Sequence, residues 1–290
     1  MSKKLTVAVC GATGAVGREM LKTLHDRNFP ASEVLAFASA RSEGVKVPYG
    51  DTELTVHELK EDSFVGVDIA IFSAGGATST KFSPYAAHSG CVVVDNSAAW
   101  RMDDRCPLVV PEVNPEDLEW HNGIIANPNC STIQMLVALK PIHDAVHIKR
   151  IVVTTFQAVS GAGQKGINEL EQQVRDLFNS REIKCDKFPY RIAFNVLPQI
   201  DIFLDNDYTK EEMKMFNETR KIMHSDVRCS AMCVRVSSLR AHSESVWIET
   251  ERPIEVDEAR AALAAAPGVT VEDDPANLVY PMPLDTAGKD

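Results

Sequence analysis

The sequence predicts an α/β protein with two domains: a doubly wound N-terminal domain and a second α/β domain with a mixed, largely antiparallel sheet. The chain has 290 residues, more than one hydrophobic core usually serves. Its first half alternates short apolar strands with helical segments, a pattern typical of a parallel sheet. Its second half contains longer, partly alternating strands. We place the boundary after residue 128, which gives domains 1–128 and 129–290.

Composition and charge narrow the class of protein. A hydrophobic content of 44% and a charged content of 24% are ordinary for a globular protein. The net charge of −11 argues against non-specific nucleic-acid binding, and no apolar run reaches the ~20 residues of a membrane span. Seven cysteines without a CxxC pair argue against a disulfide framework or a zinc site. We therefore expect no metal and a reducing, cytoplasmic location.

A glycine-rich turn opens the first domain. Leu5 to Cys10 is an apolar strand, Gly11-Ala12-Thr13-Gly14-Ala15-Val16-Gly17 follows, and a helical segment runs to Leu24. Glycine permits a tight turn and a close approach of the backbone to a pyrophosphate, which binds at a helix N-terminus. This context favours a Rossmann-like dinucleotide site. Because the spacing is GxxGxxG rather than GxGxxG, a plain glycine-rich turn is the alternative.

The end of the second strand bears on the choice between NAD and NADP. We predict this strand at Val34 to Ala38, where a site for NAD usually ends in Asp or Glu. Ser39, Arg41 and Ser42 follow instead. Two hydroxyls and an arginine suit a 2′-phosphate. The sequence therefore predicts NADP as the cofactor, with an ordinary exposed loop as the alternative.

Two later strands of the first domain also end in polar residues or glycine. Residues 68–72 form a buried strand that ends at Ser73 and Gly75, and residues 91–94 form another that ends in Asp95-Asn96-Ser97. Ligands of doubly wound sheets bind at the carboxyl ends of the strands. We therefore include Ser73 and Gly75 in the expected cofactor site.

Cys130 is the candidate nucleophile. It follows an apolar run and the turn Asn127-Pro128-Asn129, and it precedes a predicted helix from Ser131 to Lys140. At a helix N-terminus, free N–H groups and the macrodipole favour the thiolate, which is the form that attacks carbonyl carbons. The alternative is an unreactive, buried cysteine.

The second domain carries its candidate residues near strand ends. We predict strands at residues 148–156, 231–236 and 245–250, and helices at residues 164–179, 210–224 and 257–265. Gln157 ends the first strand. The turn that contains Ser160, Gly161 and Gly163 offers backbone N–H groups to a phosphate or a nicotinamide, unless it only joins the strand to the next helix.

Arg235, near the end of the second of these strands, lies seven residues before His242. Arginine suits bidentate carboxylate binding, and histidine suits proton transfer near neutral pH, although a single histidine is more often structural. The helix with Glu211, Glu212 and Lys214 has the pattern of a solvated face with i,i+3 and i,i+4 ion pairs.

Together these residues resemble the aspartate-semialdehyde dehydrogenase family, from Leu5 to the last residue. The motifs that carry the resemblance are Gly11-Ala12-Thr13-Gly14-Ala15-Val16-Gly17, Ser39-Ala40-Arg41-Ser42, Asp95-Asn96-Ser97-Ala98-Ala99-Trp100-Arg101-Met102, Asn127-Pro128-Asn129-Cys130-Ser131-Thr132, Gln157-Ala158-Val159-Ser160-Gly161-Ala162-Gly163, the Arg235-to-His242 spacing and Pro283-Leu284-Asp285-Thr286-Ala287-Gly288-Lys289-Asp290. Several independent motifs in the same order argue against chance agreement.

The resemblance implies reversible, NADP-dependent chemistry between L-aspartate 4-semialdehyde with phosphate and 4-aspartyl phosphate. This reaction leads to lysine through diaminopimelate, and to methionine and threonine. Cys130 would carry a thioester or thiohemiacetal, Gln157 would orient the intermediate, and His242 would be the general acid/base. Arg235 would bind the substrate α-carboxylate and Glu212 its amino group.

The resemblance also implies which residues bind the transferred phosphate and the cofactor. Arg101 and Lys214 would bind the transferred phosphate. The residues expected to bind NADP are Gly11, Thr13, Gly14, Ala15, Val16, Ser39, Arg41, Ser42, Ser73, Gly75, Ser160, Gly161 and Gly163. Domain 1–128 would bind NADP, and domain 129–290 would hold the catalytic residues and the interface of a homodimer or homotetramer.

Two departures from the family pattern keep alternatives open. Ser237 and Ala241 stand where the family usually has Pro and Gly, and the family continues past Asp290 with a strand and a terminal helix that we expect domain 129–290 to lack. A non-catalytic remnant that binds NADP or forms dimers is therefore one alternative. N-acetyl-glutamyl-phosphate reductase and malonyl-coenzyme-A reductase are two more, although Gln157 and the Asn-Cys-Ser-Thr sequence favour the semialdehyde enzyme.

Overall fold

The computed structural model describes residues 5–289, and the contacts divide the chain into two compact units, Met1–Pro128 and Asn129–Asp290. Each unit has its own sheet, with seven strands in the first and four in the second. The predicted α/β class is therefore confirmed. Within the described residues, no helix is long and apolar enough to cross a membrane.

The sheet of the first unit is doubly wound, as predicted. Its strands are β1 (Leu5–Cys10), β2 (Ala31–Ala38), β3 (Lys46–Tyr49), β4 (Thr52–Glu58), β5 (Ile69–Phe72), β6 (Val92–Asp95) and β7 (Ile124–Ala126). Their order is β3-β4-β2-β1-β5-β6-β7, and all neighbours run parallel except β3 and β4. Helix α1 (Ala15–Asp26) follows β1, and helix α2 (Gly76–His88) follows β5.

Strand β1 lies at the centre of this sheet and is covered on both faces. Val7 and Val9 pack with Leu21 of α1 in one core. Ala8 and Cys10 pack with residues of β5 in a core on the opposite face. Because side chains alternate along a strand, a strand buried on both faces needs apolar residues at every position. This explains the continuous apolar run that opens the sequence.

A hairpin follows β2, which the sequence pattern did not predict. A 3₁₀ turn at Ala40–Ser42 leads into the antiparallel pair of β3 and β4. Val47 and Val56 of this hairpin are fully buried in the same core as Val7. The hairpin therefore extends the sheet at the edge where β2 ends.

The second unit has a mixed sheet, also as predicted. Its strands are β8 (Ile148–Gln157), β9 (Val196–Leu197), β10 (Arg228–Val236) and β11 (Ser243–Thr250), in the order β11-β8-β10-β9. Strand β8 runs parallel to β10, whereas β11 with β8 and β9 with β10 are antiparallel. The helices are α3 (Cys130–Val146), α4 (Gln164–Phe178), α5 (Lys210–Met223), α6 (Val256–Ala265) and the short α7 (Pro283–Thr286).

The two faces of this sheet differ. The inner face includes Ile151 and Val153, which are buried, and α3 and α5 contact the strands of this sheet. On the outer sheet face, the side chains of Val152, Phe156, Met232 and Trp247 are exposed. Such a run of exposed apolar side chains on one sheet face is typical of an interaction surface.

Candidate active site

Cys130 is the first residue of helix α3, which begins one residue before the predicted start at Ser131 and places the thiol at the helix N-terminus as expected. The helix continues past the predicted end at Lys140 to Val146, through Pro141. Asn129 is the N-cap, since its Oδ1 accepts hydrogen bonds from the N–H groups of Ser131 at 3.0 Å and Thr132 at 3.3 Å. The cap fixes the first turn of the helix and, with it, the position of the Cys130 backbone.

Two buried glutamates of helix α5 hold Asn129, an arrangement that we call the Asn129 clamp. The Asn129 N–H donates to Oε2 of Glu218 at 2.6 Å, and its Nδ2 donates to Oε1 of Glu211 at 2.8 Å. Glu211 and Glu218 are only 4% and 1% exposed. Because they lie seven residues apart, two turns along one helix face, both can reach the same residue.

Glu211 also connects two other predicted site residues. Its Oε1 accepts a hydrogen bond from Nε2 of Gln157 at 3.2 Å, and its Oε2 accepts one from Nζ of Lys214 at 2.9 Å. Lys214 contacts Asp201 as well, at 3.2 Å. Burial acts to raise the pKa of Glu211, but the Lys214 charge and the hydrogen bonds from Lys214, Asn129 and Gln157 outweigh it and lower that pKa. Glu211 is therefore a carboxylate at neutral pH.

In the structure, Glu212 lies at the capping-box position of helix α5. Its Oε2 accepts the N–H of Thr209 at 2.7 Å, while the Thr209 hydroxyl accepts the N–H of Glu212, which forms a capping box. Its Oε1 accepts the N–H of Cys233 at 3.1 Å. Glu212 thus caps α5, whereas its neighbour Glu211 contacts Asn129, Gln157 and Lys214. The Thr-x-x-Glu spacing is a sequence signal for that cap, and the i,i+3 spacing of Glu211 and Lys214 is a signal for their contact.

Arg235 and His242 meet at the backbone of Ala158. Nη1 of Arg235 donates to the Ala158 carbonyl at 2.7 Å, and the Ala158 N–H donates to Nδ1 of His242 at 3.0 Å. A Cβ added at Gly161 would lie 2.8 Å from Nη1 of Arg235 and 3.3 Å from Nε2 of His242. Gly161 therefore belongs to this group because it leaves room for both side chains. Gln157 lies beside Arg235 in the register of β8 and β10.

The 3₁₀ turn Val159–Ala162 contains Ser160 and Gly161, and Gly163 caps the following helix α4. The predicted residues that the second unit brings together are Cys130, Gln157, Lys214, Arg235 and His242.

The ionisation of Cys130 and His242 departs from the sequence expectation. Burial raises the pKa of the Cys130 thiol, and the Glu211 charge adds to the rise, while the Ser131 N–H and the Arg235 charge oppose it. The pKa of the thiol is therefore raised, whereas its position at a helix N-terminus led us to expect a lowered pKa. Burial, together with the Arg235 charge, lowers the pKa of His242 to about 4. His242 is neutral at physiological pH.

In the first unit, the predicted cofactor residues lie at the carboxyl ends of β1, β2 and β5. Gly11 has a φ of +92°, and a Cβ there would come within 2.4 Å of the Ser73 carbonyl oxygen. A Cβ at Gly17 would come within 2.2 Å of the Gly11 carbonyl oxygen. These two contacts require glycine and bring the N-terminus of α1 close to β1, where its free N–H groups suit a pyrophosphate.

The remaining cofactor candidates surround this turn and the neighbouring strand ends. Gly14 is the N-cap of α1, and Gly75 is the N-cap of α2. Ser39 and Arg41 are exposed directly after β2. The other candidates of this unit, in or near the same turns, are Thr13, Ala15, Val16, Ser42 and Ser73.

Arg101 and Lys214 belong to different units. Arg101 is 8% exposed, and its Nη2 donates to the carbonyl oxygen of Asn96 at 3.0 Å, just after β6. Lys214 lies on α5 with Glu211 and Asp201. Each of these two cations therefore lies within hydrogen-bond distance of oxygen acceptors of its own unit.

Glu244 is half-buried on the inner face of the second sheet, with one carboxyl oxygen fully buried. It pairs with Thr155 in the register of β11 and β8, and Thr155 pairs with Cys233 of β10. Burial raises the pKa of Glu244 to about 8, although a hydrogen bond with Gln134 acts in the opposite direction. Within the part of the chain that the structure describes, its buried Oε1 has no hydrogen-bond partner. The protonated form is therefore favoured at neutral pH.

Replacing Glu244 by glutamine is expected to stabilise the protein increasingly as the pH rises from about 5 to about 8. The folded-state pKa lies above the usual 4.5, so the folded protein holds this proton more tightly than the unfolded chain. Wild-type stability therefore falls by about 1.4 kcal/mol per pH unit between the two pKa values, and levels off above them. Glutamine keeps the shape and does not ionise.

Thermal unfolding near pH 5 and near pH 9 measures this effect. The Tm of the Glu244→Gln protein is expected to equal the wild-type Tm near pH 5 and to exceed it near pH 9. Glu249→Gln is the control, because Glu249 lies exposed on the same strand and is expected to change neither value. An equal difference at both pH values would contradict the prediction.

Comparison with known proteins agrees with both units. Residues 6–121 match the family described as semialdehyde dehydrogenase, NAD binding domain, and residues 139–290 match the one described as semialdehyde dehydrogenase, dimerisation domain. These matches cover most of each unit. They assign a nicotinamide cofactor to the first unit and subunit contact to the second.

Proteins that are similar over nearly the whole chain are named aspartate-semialdehyde dehydrogenase. Aspartate-semialdehyde dehydrogenase of Aquifex aeolicus is 56% identical over 98% of this chain and 85% of its own length, and that of Bacillus subtilis is 53% identical over 100% and 86%. A solved structure, aspartate semialdehyde dehydrogenase II of Vibrio cholerae complexed with ASA, has a TM-score of 0.96 at 46% identity over 100% of this chain and 86% of that one. The chain therefore belongs to the aspartate-semialdehyde dehydrogenase family of phosphorylating dehydrogenases that use a nicotinamide cofactor.

Proposed function

We propose that the chain oxidises L-aspartate 4-semialdehyde to 4-aspartyl phosphate with NADP and phosphate, reversibly, through a thioester on Cys130. The single observation that carries this proposal is the position of Cys130 at the N-terminus of α3, beside Glu211 and Arg235. The reaction belongs to the biosynthesis of lysine, methionine and threonine. All seven cysteines are free thiols, which supports a reducing, cytoplasmic location.

Cys130 supplies the nucleophile in the proposed reaction. Its thiolate attacks the aldehyde carbon, forms a C–S bond and gives a thiohemiacetal. A nicotinamide cofactor held by the glycine-rich turn after β1 would supply the two-electron oxidation that converts this thiohemiacetal into a thioester. A phosphate oxygen then attacks the thioester carbon, the C–S bond breaks, and the thiolate of Cys130 is restored with release of the acyl phosphate.

Charged side chains near Cys130 suit the two ends of the amino-acid substrate. Arg235 presents a guanidinium for the α-carboxylate, as predicted from the sequence. We assign the contact with the amino group to Glu211, since it is an ionised carboxylate while Glu212 caps the helix. The Glu211 charge also raises the pKa of the thiol. An ammonium group that pairs with Glu211 offsets that charge, so substrate binding itself favours the thiolate.

The transferred phosphate needs cations, and we propose Arg101 and Lys214 for this role. A dianionic phosphate binds well to a planar guanidinium and to an ammonium. In the described residues, Lys214 contacts the carboxylates of Glu211 and Asp201. Phosphate binding would therefore exchange one of these contacts for a contact with phosphate.

The choice of NADP rests on the segment after β2. The strand ends at Ala38, and Ser39 and Arg41 follow as exposed residues in place of an acidic residue. A carboxylate at this position binds the ribose 2′-hydroxyl of NAD and repels a 2′-phosphate, whereas arginine attracts it. We therefore propose NADP over NAD.

The experiment that tests the proposal is reduction of the cofactor by L-aspartate 4-semialdehyde, with NADP or NAD and with or without phosphate. Turnover that requires phosphate and is faster with NADP is the expected result. Turnover without phosphate would contradict the phosphorylating reaction, and equal rates with both cofactors would contradict the assignment of Arg41. Absence of turnover from a folded protein would favour a non-catalytic role.

We further propose that two copies of the chain associate through the outer sheet face of the second unit. The matched family description names a dimerisation domain over residues 139–290. On the outer sheet face, Trp247 is 75% exposed, and Val152, Phe156 and Met232 are also exposed. Removing exposed apolar surface from water at an interface stabilises the complex by about 25 cal/mol per Å² of apolar area. This supports a homodimer, alone or within a homotetramer.

Replacing Trp247 by glutamate is expected to convert the dimer into monomers, because a charge would then lie in an apolar interface. Sedimentation velocity at several protein concentrations measures the outcome. Val65→Glu is the control, since Val65 is 81% exposed but lies in the first unit. A Trp247→Glu protein that stays dimeric would show that subunits associate through another surface.

A further inference from the structure

The segment that carries Arg101 has no regular backbone structure to hold it. Residues 96–107, all of which the structure describes, belong to no helix or strand. The turn after Trp100 is closed by a local bond, from the N–H of Asp103 to the Trp100 carbonyl oxygen at 3.1 Å. A segment without ladder hydrogen bonds moves more easily than a strand. The position of Arg101 must therefore depend on side chains that anchor this segment to its surroundings.

Trp100 provides one such anchor. Its indole Nε1 donates a hydrogen bond to Oγ of Ser79 at 2.9 Å. Ser79 belongs to the first turn of α2, since its N–H donates to the carbonyl oxygen of the N-cap residue Gly75 at 3.0 Å. An indole N–H can only donate, so the Ser79 oxygen is the acceptor. The Ser79 hydroxyl hydrogen is then left to donate to another acceptor, and Oγ of Ser83 lies 3.0 Å away.

Burial makes this anchor specific to one place on α2. Ser79 and Ser83 are both fully buried, and the half-buried Trp100 ring packs against the core that contains Ala86 of the same helix. A buried oxygen that loses its hydrogen-bond donor does not gain a water molecule in exchange. The indole N–H and the two hydroxyls therefore form a satisfied chain that fixes the Trp100 side chain.

Asn96 restrains Arg101 from the other side. Nη2 of Arg101 donates to the Asn96 carbonyl oxygen at 3.0 Å, and Oδ1 of Asn96 accepts a hydrogen bond from Nδ2 of Asn127 at 2.8 Å. Arg101 is only 8% exposed. It therefore lies between two anchors of the first unit, Trp100 on α2 and Asn96 on the turn after β7.

We propose that Trp100 is a positioning residue for the transferred phosphate, because its bond with Ser79 fixes the direction of the Arg101 guanidinium. This inference rests on the proposed role of Arg101 as a phosphate ligand. A planar guanidinium pairs with two phosphate oxygens only in a narrow range of orientations. The planar peptide between the two residues transmits the position of Trp100 to the backbone of Arg101. A less restrained Trp100 would keep the Arg101 charge but spread its orientations.

Replacing Trp100 by phenylalanine tests this inference, since phenylalanine keeps an aromatic ring in the core and removes the N–H. The KM for phosphate is expected to rise about tenfold, the equivalent of one lost hydrogen bond, while kcat and the KM values for the semialdehyde and NADP stay within about twofold. A merely structural role for Trp100 would lower the Tm but would not raise one KM alone.

Trp120→Phe is the matched control. Trp120 lies in the same unit, and its Nε1 donates to Oδ1 of Asp117 at 3.2 Å, so this variant also loses one indole hydrogen bond. It is expected to keep the wild-type KM for phosphate. Ser79→Ala removes the acceptor of the Trp100 bond and is expected to raise that KM as Trp100→Phe does. The double variant is expected to be no worse than either single variant, because both changes remove the same interaction.

The outcomes separate this inference from the proposed function. An unchanged KM for phosphate in Trp100→Phe, an equal rise in all three KM values, the same rise in Trp120→Phe, or additive effects in the double variant would overturn the inference and leave the proposed function standing. If the wild type shows no phosphate-dependent turnover, the proposed function fails, and calorimetric titration with inorganic phosphate decides the inference. Binding about tenfold weaker in Trp100→Phe than in the wild type supports it, and equal or absent binding contradicts it.

Discussion

Replacing Cys130 by alanine is expected to abolish phosphate-dependent turnover, with a loss on the order of 10⁴-fold or more, as for other enzymes that lose a covalent nucleophile. Without the sulfur neither the C–S bond nor the thioester can form. Protein atoms crowd the Cys130 thiol closely enough to raise its pKa, but the residue still reaches solvent, so alanine leaves no closed cavity and the fold is expected to persist. The measurement is initial rate with saturating aldehyde, NADP and phosphate.

Cys185 provides the matched control for this experiment, since it is also an exposed, free thiol but is not among the residues around Asn129. Cys185→Ala is expected to keep the wild-type rate. Turnover by the Cys130→Ala protein above the rate without enzyme would show that another group is the nucleophile.

Replacing Arg235 by leucine is expected to raise KM for the semialdehyde by about 10²-fold or more, with a smaller change in kcat. Arg235 is 6% exposed, and loss of one partner of a buried, charged hydrogen bond costs about 2–5 kcal/mol. The substrate α-carboxylate would then enter the site without its cation. Steady-state kinetics with the semialdehyde as the varied substrate measure the change.

Arg235→Lys is the informative companion variant. It keeps the positive charge but loses the planar fork, so its KM is expected to lie between those of the wild type and Arg235→Leu. The KM for NADP is expected to stay unchanged in both variants. A semialdehyde KM that does not change in Arg235→Leu would assign the α-carboxylate to another side chain.

The parts of the site that follow from short stretches of sequence could be predicted. Cys130 was identified because a strand, a turn and a helix follow one another within a few residues. The glycine motif was identified from its spacing after an apolar strand; the contact that requires Gly17 lies within that strand–turn–helix unit, whereas the Ser73 carbonyl that requires Gly11 comes only after β5. The spacing of residues within a short stretch is therefore enough to identify positions of this kind.

The parts that depend on distant contacts could not be predicted. Glu211 and Glu212 are adjacent, but their side chains point about 100° apart around the helix, and only packing shows which one reaches Asn129. The raised pKa of Cys130 comes from burial and from Glu211, which lies far along the chain. The hairpin of β3 and β4 was missed because the sequence analysis assigned no element to the segment between the polar residues after β2 and the strand at residues 68–72.

The Asn129 clamp has a consequence for when the candidate active site can form during synthesis of the chain. Glu211 and Glu218 come 82 and 89 residues after Asn129 in the chain. The chain must lose the conformational entropy of closing this large loop before the clamp contacts can stabilise the folded state. A chain that ends before α5 contains Cys130, its turn and its helix, yet lacks both carboxylates that hold the residue before it. The proposed nucleophile is thus encoded early, but the contacts that hold its helix cap can form only after synthesis has passed Glu218.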